Sequence, residues 1–142
     1  MRIMGLDYGE KTIGVAISDP LGWTAQGLQT ISYRKNIEEV LDKLITLVES
    51  YEIMEIVVGL PKNMNGTLGP QAEKVLDFAN VLEKRSGLSV HLWDERMTTK
   101  TAEQTLLAAD VSRVKRKRVI DQLAAVIILQ GLLDHRNTLH RV

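Results

Sequence analysis

The chain has 142 residues, 18 of them basic and 18 acidic, and no cysteine. That length suits one domain, residues 1–142, with a hydrophobic core, and the lack of cysteine excludes a disulfide framework, a Cys-ligated zinc and a Cys nucleophile. Zero net charge gives no overall pull towards a polyanion. The N-terminus reads as a strand and not as a signal peptide, and no run approaches the ~18 apolar residues of a membrane span. A cytoplasmic protein without membrane contact is the simplest expectation.

Taken in chain order, "RIMGLD" (2–7) and "TIGVAIS" (12–18) read as strands joined by a turn at "YGEK", and a third strand is expected near 24–31. Tight, Gly-bearing connections suggest an antiparallel meander. The period then changes: Ile37, Val40, Leu41, Leu44, Val48 and Tyr51 fall on one helical face. "EIVVGL" (55–60) has the continuous apolar character of a strand buried on both sides. After the loop "PKNMNGTLGP", Pro70 suits the first turn of a helix that Gly87 ends, with Ala72, Val75, Leu76, Ala79 and Leu82 as its buried stripe. A fifth strand is expected at 88–94, a helix from Thr98 or Thr99 to about 109, and an apolar final helix at 119–134. The order β-β-β-α-β-α-β-α-α predicts an α/β fold. Its mixed sheet is the meander plus two parallel strands, with helices on both faces.

Three acidic positions stand at element ends. Asp7 closes the first strand, where alternation places it on the face of Ile3 and Gly5. Gly5 and Gly9 suggest space for a metal and a large substrate, although Asp7 is equally readable as a turn aspartate. Asp94 and Glu95 follow the fifth strand, where ligands of α/β sheets gather and where acids also suit a helix N-terminus. Asp121 opens the last helix, with small Ala124 and Ala125 three and four residues on. Carboxylates gathered at one sheet edge are natural ligands for Mg²⁺ or Mn²⁺, and two such ions support phosphodiester hydrolysis. His91, His135 and His140 are isolated, and His91 reads as a sheet-face residue.

Four segments, "GLDYGEKTIGVAISD", "VVGLPKNMNGTLGPQA", "WDERMTT" and "DQLAAVIILQ", occur in an order and over a length that resemble the YqgF family, also called RuvX. These are bacterial proteins with an RNase H-like fold, described as Holliday junction resolvases or nucleases of the 16S rRNA precursor. The resemblance covers nearly the whole chain. It implies that Asp7, Glu95 and Asp121 bind divalent metal, with Glu95 preferred to Asp94, and that the protein processes the 5′ end of precursor 16S rRNA. The alternatives are resolution of four-way DNA junctions and a non-catalytic role in RNA assembly. The first segment also resembles the phosphate loop of the actin and sugar-kinase superfamily, but that superfamily encloses nucleotide between two such domains.

Nucleic acid, structured RNA or branched DNA, is the expected partner. "RVKRKR" places five basic residues, Arg113, Lys115, Arg116, Lys117 and Arg118, just before Asp121, where they suit phosphates flanking a cut. Lys62 and Asn63, with Asn65, lie in the loop after the fourth strand, and Lys11 lies in the first hairpin. Trp23 and Trp93 read as core residues before base-stacking ones. No coiled-coil heptad or dimer face is visible, so a monomer or weak homodimer is expected.

Overall fold

The computed structural model describes residues 2–33, 36–63, 65–94 and 113–139, with side chains of the last helix described from 122 to 137. Strands β1 (Arg2–Tyr8), β2 (Thr12–Ser18) and β3 (Ala25–Ser32) form the meander. Helix α1 (Ile37–Ser50), β4 (Ile53–Leu60), α2 (Pro70–Ser86), β5 (Val90–Asp94) and α3 (Arg113–Leu139) follow. The sheet order is β3-β2-β1-β4-β5. β1 is central, antiparallel to β2 and parallel to β4, and β5 is parallel to β4. The five-stranded mixed sheet and its two helical faces are those expected. The segment expected to be a helix at 98–109 lies outside the described residues.

Local signals explain the helix ends. The Asn36 side chain accepts the Glu39 N–H at the start of α1. Pro70 opens α2, and Gly87 ends it in the left-handed region at φ 71°. The buried stripe of α2 is Ala72, Val75, Phe78, Ala79 and Leu82. Phe78 joins the expected set, and Leu76 is only partly buried against the core.

The core is divided by the sheet. On one face Met4, Leu6, Ile13, Val15, Ile56 and Val58 meet Val40, Leu41 and Leu44 of α1 and Val75, Phe78 and Leu82 of α2. On the other, Ile3, Ala16 and Val57 meet Ala125, Ile128, Leu129, Leu132 and Leu133 of α3. Among the described residues, the second face is covered by one helix, α3, lying very near the strands. A Cβ on Gly5 would stand 2.7 Å from Leu129 Cβ and 3.1 Å from the Ala125 carbonyl oxygen. Gly5 therefore makes room for α3, not for a metal or phosphate as its position beside Asp7 suggested. Gly9 likewise serves the hairpin: its N–H donates to Thr12 O at 2.9 Å, and a Cβ would fall 2.8 Å from that oxygen.

Helix α3 begins at Arg113, six residues before the expected start, so the basic run forms its first turns instead of preceding it. Lys and Arg are good helix formers, and the apolar stripe behind them continues the helix to Leu139. Trp23 also departs from expectation. It sits exposed in the β2–β3 turn, whereas Trp93 packs against Gly131 of α3, with ring atoms 3.0–3.1 Å from where a Cβ would lie. The Asp19 carboxylate fixes the β2–β3 turn by accepting the N–H groups of Thr24, Trp23 and Leu21 at 2.8, 2.7 and 3.2 Å. These bonds, Thr24 foremost, hold its pKa below the usual carboxylate range. Among the described residues, no helix is long and apolar enough to cross a membrane.

Candidate active site

Asp7 is the penultimate residue of the central strand. Strand alternation puts it with Ile3 and Gly5 on the α3 face, half-buried. Its neighbours on both flanking strands are glycines. Gly14 pairs with it directly on β2, and on β4 the register Leu6↔Val58 brings Gly59 beside it. These two glycines, and not Gly5 or Gly9, are the cross-strand neighbours of the Asp7 carboxylate. Their signal was present in the sequence as glycines inside the apolar runs "TIGVAIS" and "IVVGL".

Contacts with the strands fix the course of α3. Ala125 and Leu129 lie over Gly5. Further on, the Gln130 side chain accepts the N–H of Ala25, which pairs with Ser18. Ser18 Oγ in turn accepts the Ile3 N–H at 2.8 Å. Gln122 lies against Gly27 of β3 and Gly131 against Trp93 of β5, so α3 crosses the sheet obliquely. Ala124, Ala125 and Ile128 form its buried, sheet-facing stripe. The side chain of Asp121 lies outside the described residues.

Glu95 lies outside the described residues. Asp94, its alternative, pairs with Leu60, which belongs to the α1/α2 face, and its carboxylate is 4.0 Å from Lys62 Nζ. Strand parity thus sets Asp94 on the opposite side of the sheet from Asp7. Among the described residues there is no group of three His, Asp or Glu side chains able to hold a metal. The donor set of the expected triad, carboxylate oxygens without His or Cys, suits a hard cation, and the neighbours of Asp7 on β2 and β4 are glycines without side chains.

The other expected contacts are distributed around this end of the sheet. Lys62 caps β4 and pairs with Asp94. Asn63 and Asn65 organise their loop: Asn63 Nδ2 donates to Thr67 Oγ1 at 3.0 Å, and Asn65 Oδ1 accepts from Thr67 N–H and Oγ1. Lys11 turns towards the α2 face, into a cleft shared with Lys74, a residue that no motif in the sequence marks. Arg113, Lys115, Arg116, Lys117 and Arg118 occupy the first turns of α3, which hold no acid in the first turn. Positive charge there opposes the helix dipole, by about 0.3–1 kcal/mol per residue.

At the far end of the same face His91 contacts Glu55 at 3.0 Å, as suits a sheet-face residue, and Arg136 of α3 grips Glu55 at 2.6 and 3.1 Å. Arg136 first, then His91, holds the Glu55 pKa below its ordinary value against partial burial. This cluster ties the C-terminal part of α3 to β4 and β5.

The fold matches solved resolvases over nearly their full length. "T. thermophilus RuvC in complex with Holliday junction substrate" superposes with TM-score 0.60 at 16% identity, over 96% of both chains. "Fowlpox virus resolvase and substrate Holliday junction DNA complex" superposes with TM-score 0.60 at 12% identity, over 96% of this chain and 99% of the other. The shared architecture is RNase H-like. Sequence relatives are much nearer. A protein of Listeria monocytogenes serotype 4b, named "Putative pre-16S rRNA nuclease", is 62% identical over 138 residues, 96% of this chain and 100% of its own. A relative from Halothermothrix orenii with the same name is 58% identical over 140 residues, 99% of each chain. The sequence profile described as "RuvX: Holliday junction resolvase" matches residues 1–135. With a profile match of that extent and relatives this similar from end to end, the chain belongs to the RuvX family.

Proposed function

We propose that this protein is a divalent-metal-dependent nuclease that trims the 5′ end of precursor 16S rRNA. The observation that carries the reading is the placement of Asp7. A carboxylate stands at the tip of the central strand, opposite Gly14 of β2 and next to Gly59 of β4. Asp7, Glu95 and Asp121 would hold Mg²⁺ or Mn²⁺. When bound, such ions supply Lewis-acid stabilisation of the phosphate and lower the pKa of an attacking water.

The chain's own residues supply binding and orientation. The basic first turns of α3 carry charge against the helix dipole, an arrangement that costs stability unless an anion answers it. Arg113, Lys115, Arg116, Lys117 and Arg118 therefore suit phosphates on one side of the cut, with Lys62 and Lys11 further round the same sheet end. Asn63 contributes by holding the loop that carries Lys62.

The second reading, cleavage of four-way DNA junctions, is favoured by the family description and by the resolvase fold. It requires two sites in a dimer. The test is Mg²⁺- and Mn²⁺-dependent cleavage of a labelled rRNA precursor fragment and a labelled junction, with Asp7→Asn in parallel. RNA cleavage lost in the variant supports the first reading, and paired nicks in the junction alone support the second. Metal-dependent cleavage of neither would leave an RNA-binding assembly role.

A further inference from the structure

The face of β1 opposite Asp7 carries a cleft that the acidic site does not use. Its volume is about 500 Å³ and it is lined by Tyr8, Glu10, Lys11, Tyr33, Gln71 and Lys74, within the size range of small-ligand clefts. Tyr8 directly follows Asp7 in β1 and packs towards the α1/α2 side, stacked on Phe78 at 4.4 Å and near Tyr33 at 6.1 Å. The frame is fixed by hydrogen bonds. The Tyr33 hydroxyl donates to Gly9 O at 2.6 Å, and Gln71 Nε2 donates to Tyr8 O at 3.3 Å.

Two lysines from different elements meet here, Lys11 from the first hairpin and Lys74 from the second turn of α2. Neither forms a salt bridge among the described residues. Glu10 is the one acid of the lining, so the cleft keeps an excess of positive charge beside held aromatic rings. That pairing of cations with aromatic surface is what an unpaired nucleotide requires: charge for the phosphate, a flat apolar wall for the base. Only Gly9, Glu10 and Lys11 separate β1 from β2, so a short hairpin tip lies beside both the cleft and the Asp7 end of β1.

We infer that the cleft is a subsite for an unpaired nucleotide flanking the scissile phosphate, with Lys11 and Lys74 on its phosphate and Tyr8 and Tyr33 beside its base. The inference rests on the nuclease reading and narrows it to substrates with a single-stranded segment next to the cut.

The test is binding of a fluorescent single-stranded RNA oligonucleotide, and of the blunt duplex of the same sequence, to the full chain without metal. The double variant Lys11→Gln, Lys74→Gln is compared with Lys43→Gln, Lys84→Gln, which removes the same charge from α1 and the last turn of α2. The subsite predicts about tenfold weaker single-strand binding for the first pair, with a salt slope shallower by about one. It also predicts less than about twofold change on the duplex and for the control pair. Equal losses on single strand and duplex, or in both variants, would overturn it, as would no loss. If the parent protein cleaves neither the rRNA precursor nor the junction yet binds single strands in a Lys11- and Lys74-dependent way, the nuclease reading fails and the cleft is a single-strand binding site without a scissile phosphate beside it. If it cleaves, and binding is indifferent to the two lysines, the subsite fails and the nuclease reading stands.

Discussion

The two faces of the sheet are built on opposite principles. The α1/α2 face is filled by large aliphatic and aromatic side chains from two helices, and its strands stand well away from the helix backbones. The other face is covered, among the described residues, by one helix, which approaches until Leu129 and the Ala125 carbonyl touch the space over Gly5. The first face is sensitive to loss of volume and the second to its gain. The difference has a functional sense. A helix drawn close to the central strand packs on the face that carries Asp7, which lies two residues beyond Gly5.

Mutations should separate the faces in that way. Leu44→Ala, at a fully buried position of α1, is expected to cost about 2–5 kcal/mol in urea unfolding through the cavity it leaves. Gly5→Ala should cost about 1–3 kcal/mol although it adds only a methyl, because the nearest atoms are helix Cβ and backbone. It should also depress cleavage by displacing α3. A Gly5→Ala protein as stable and active as the parent would refute the close approach of helix and strand.

A smaller effect is expected from Arg136→Gln, about 1 kcal/mol at neutral pH, because Arg136 is the main partner of a partly buried Glu55. The sign with pH follows from Glu55. Its folded pKa lies below the ordinary 4.5, so the stabilisation is complete above that value and is lost as pH falls through the folded pKa. Arg136→Gln should therefore flatten the acid side of the stability profile. An unchanged acid limb would mean that Glu55 does not contribute.

The smallest stability effect is expected at the most consequential residue. Asp7→Asn should change metal-free stability by no more than about 0.5 kcal/mol, or raise it, since it relieves repulsion among clustered carboxylates.

Much of this was legible in the sequence. Periodicity located every described strand and helix, and Pro70, Gly87 and the apolar run of β4 marked their ends. What escaped was tertiary. Gly5 beside Asp7 read as space for a ligand, because only the docked helix reveals what fills it. The glycines that flank Asp7, Gly14 and Gly59, lie on other strands and are recognised only from the register. The basic run read as a segment before the helix, yet Lys and Arg propagate helices well. Trp23 read as core, but Asp19 holds it on an exposed turn. Asp94 and Glu95 are adjacent in sequence, and for Asp94 strand parity was decisive.

The central claim is that Asp7 serves chemistry and not the fold. The most direct measurement is a calorimetric Mn²⁺ titration of the parent and Asp7→Asn proteins, with metal-free thermal unfolding and cleavage assayed on the same samples. A chemical role predicts that the variant loses Mn²⁺ binding and cleavage while its unfolding temperature is unchanged or higher. Retained metal binding and cleavage, or a large drop in metal-free unfolding temperature, would contradict it and make Asp7 a structural residue of the strand tip.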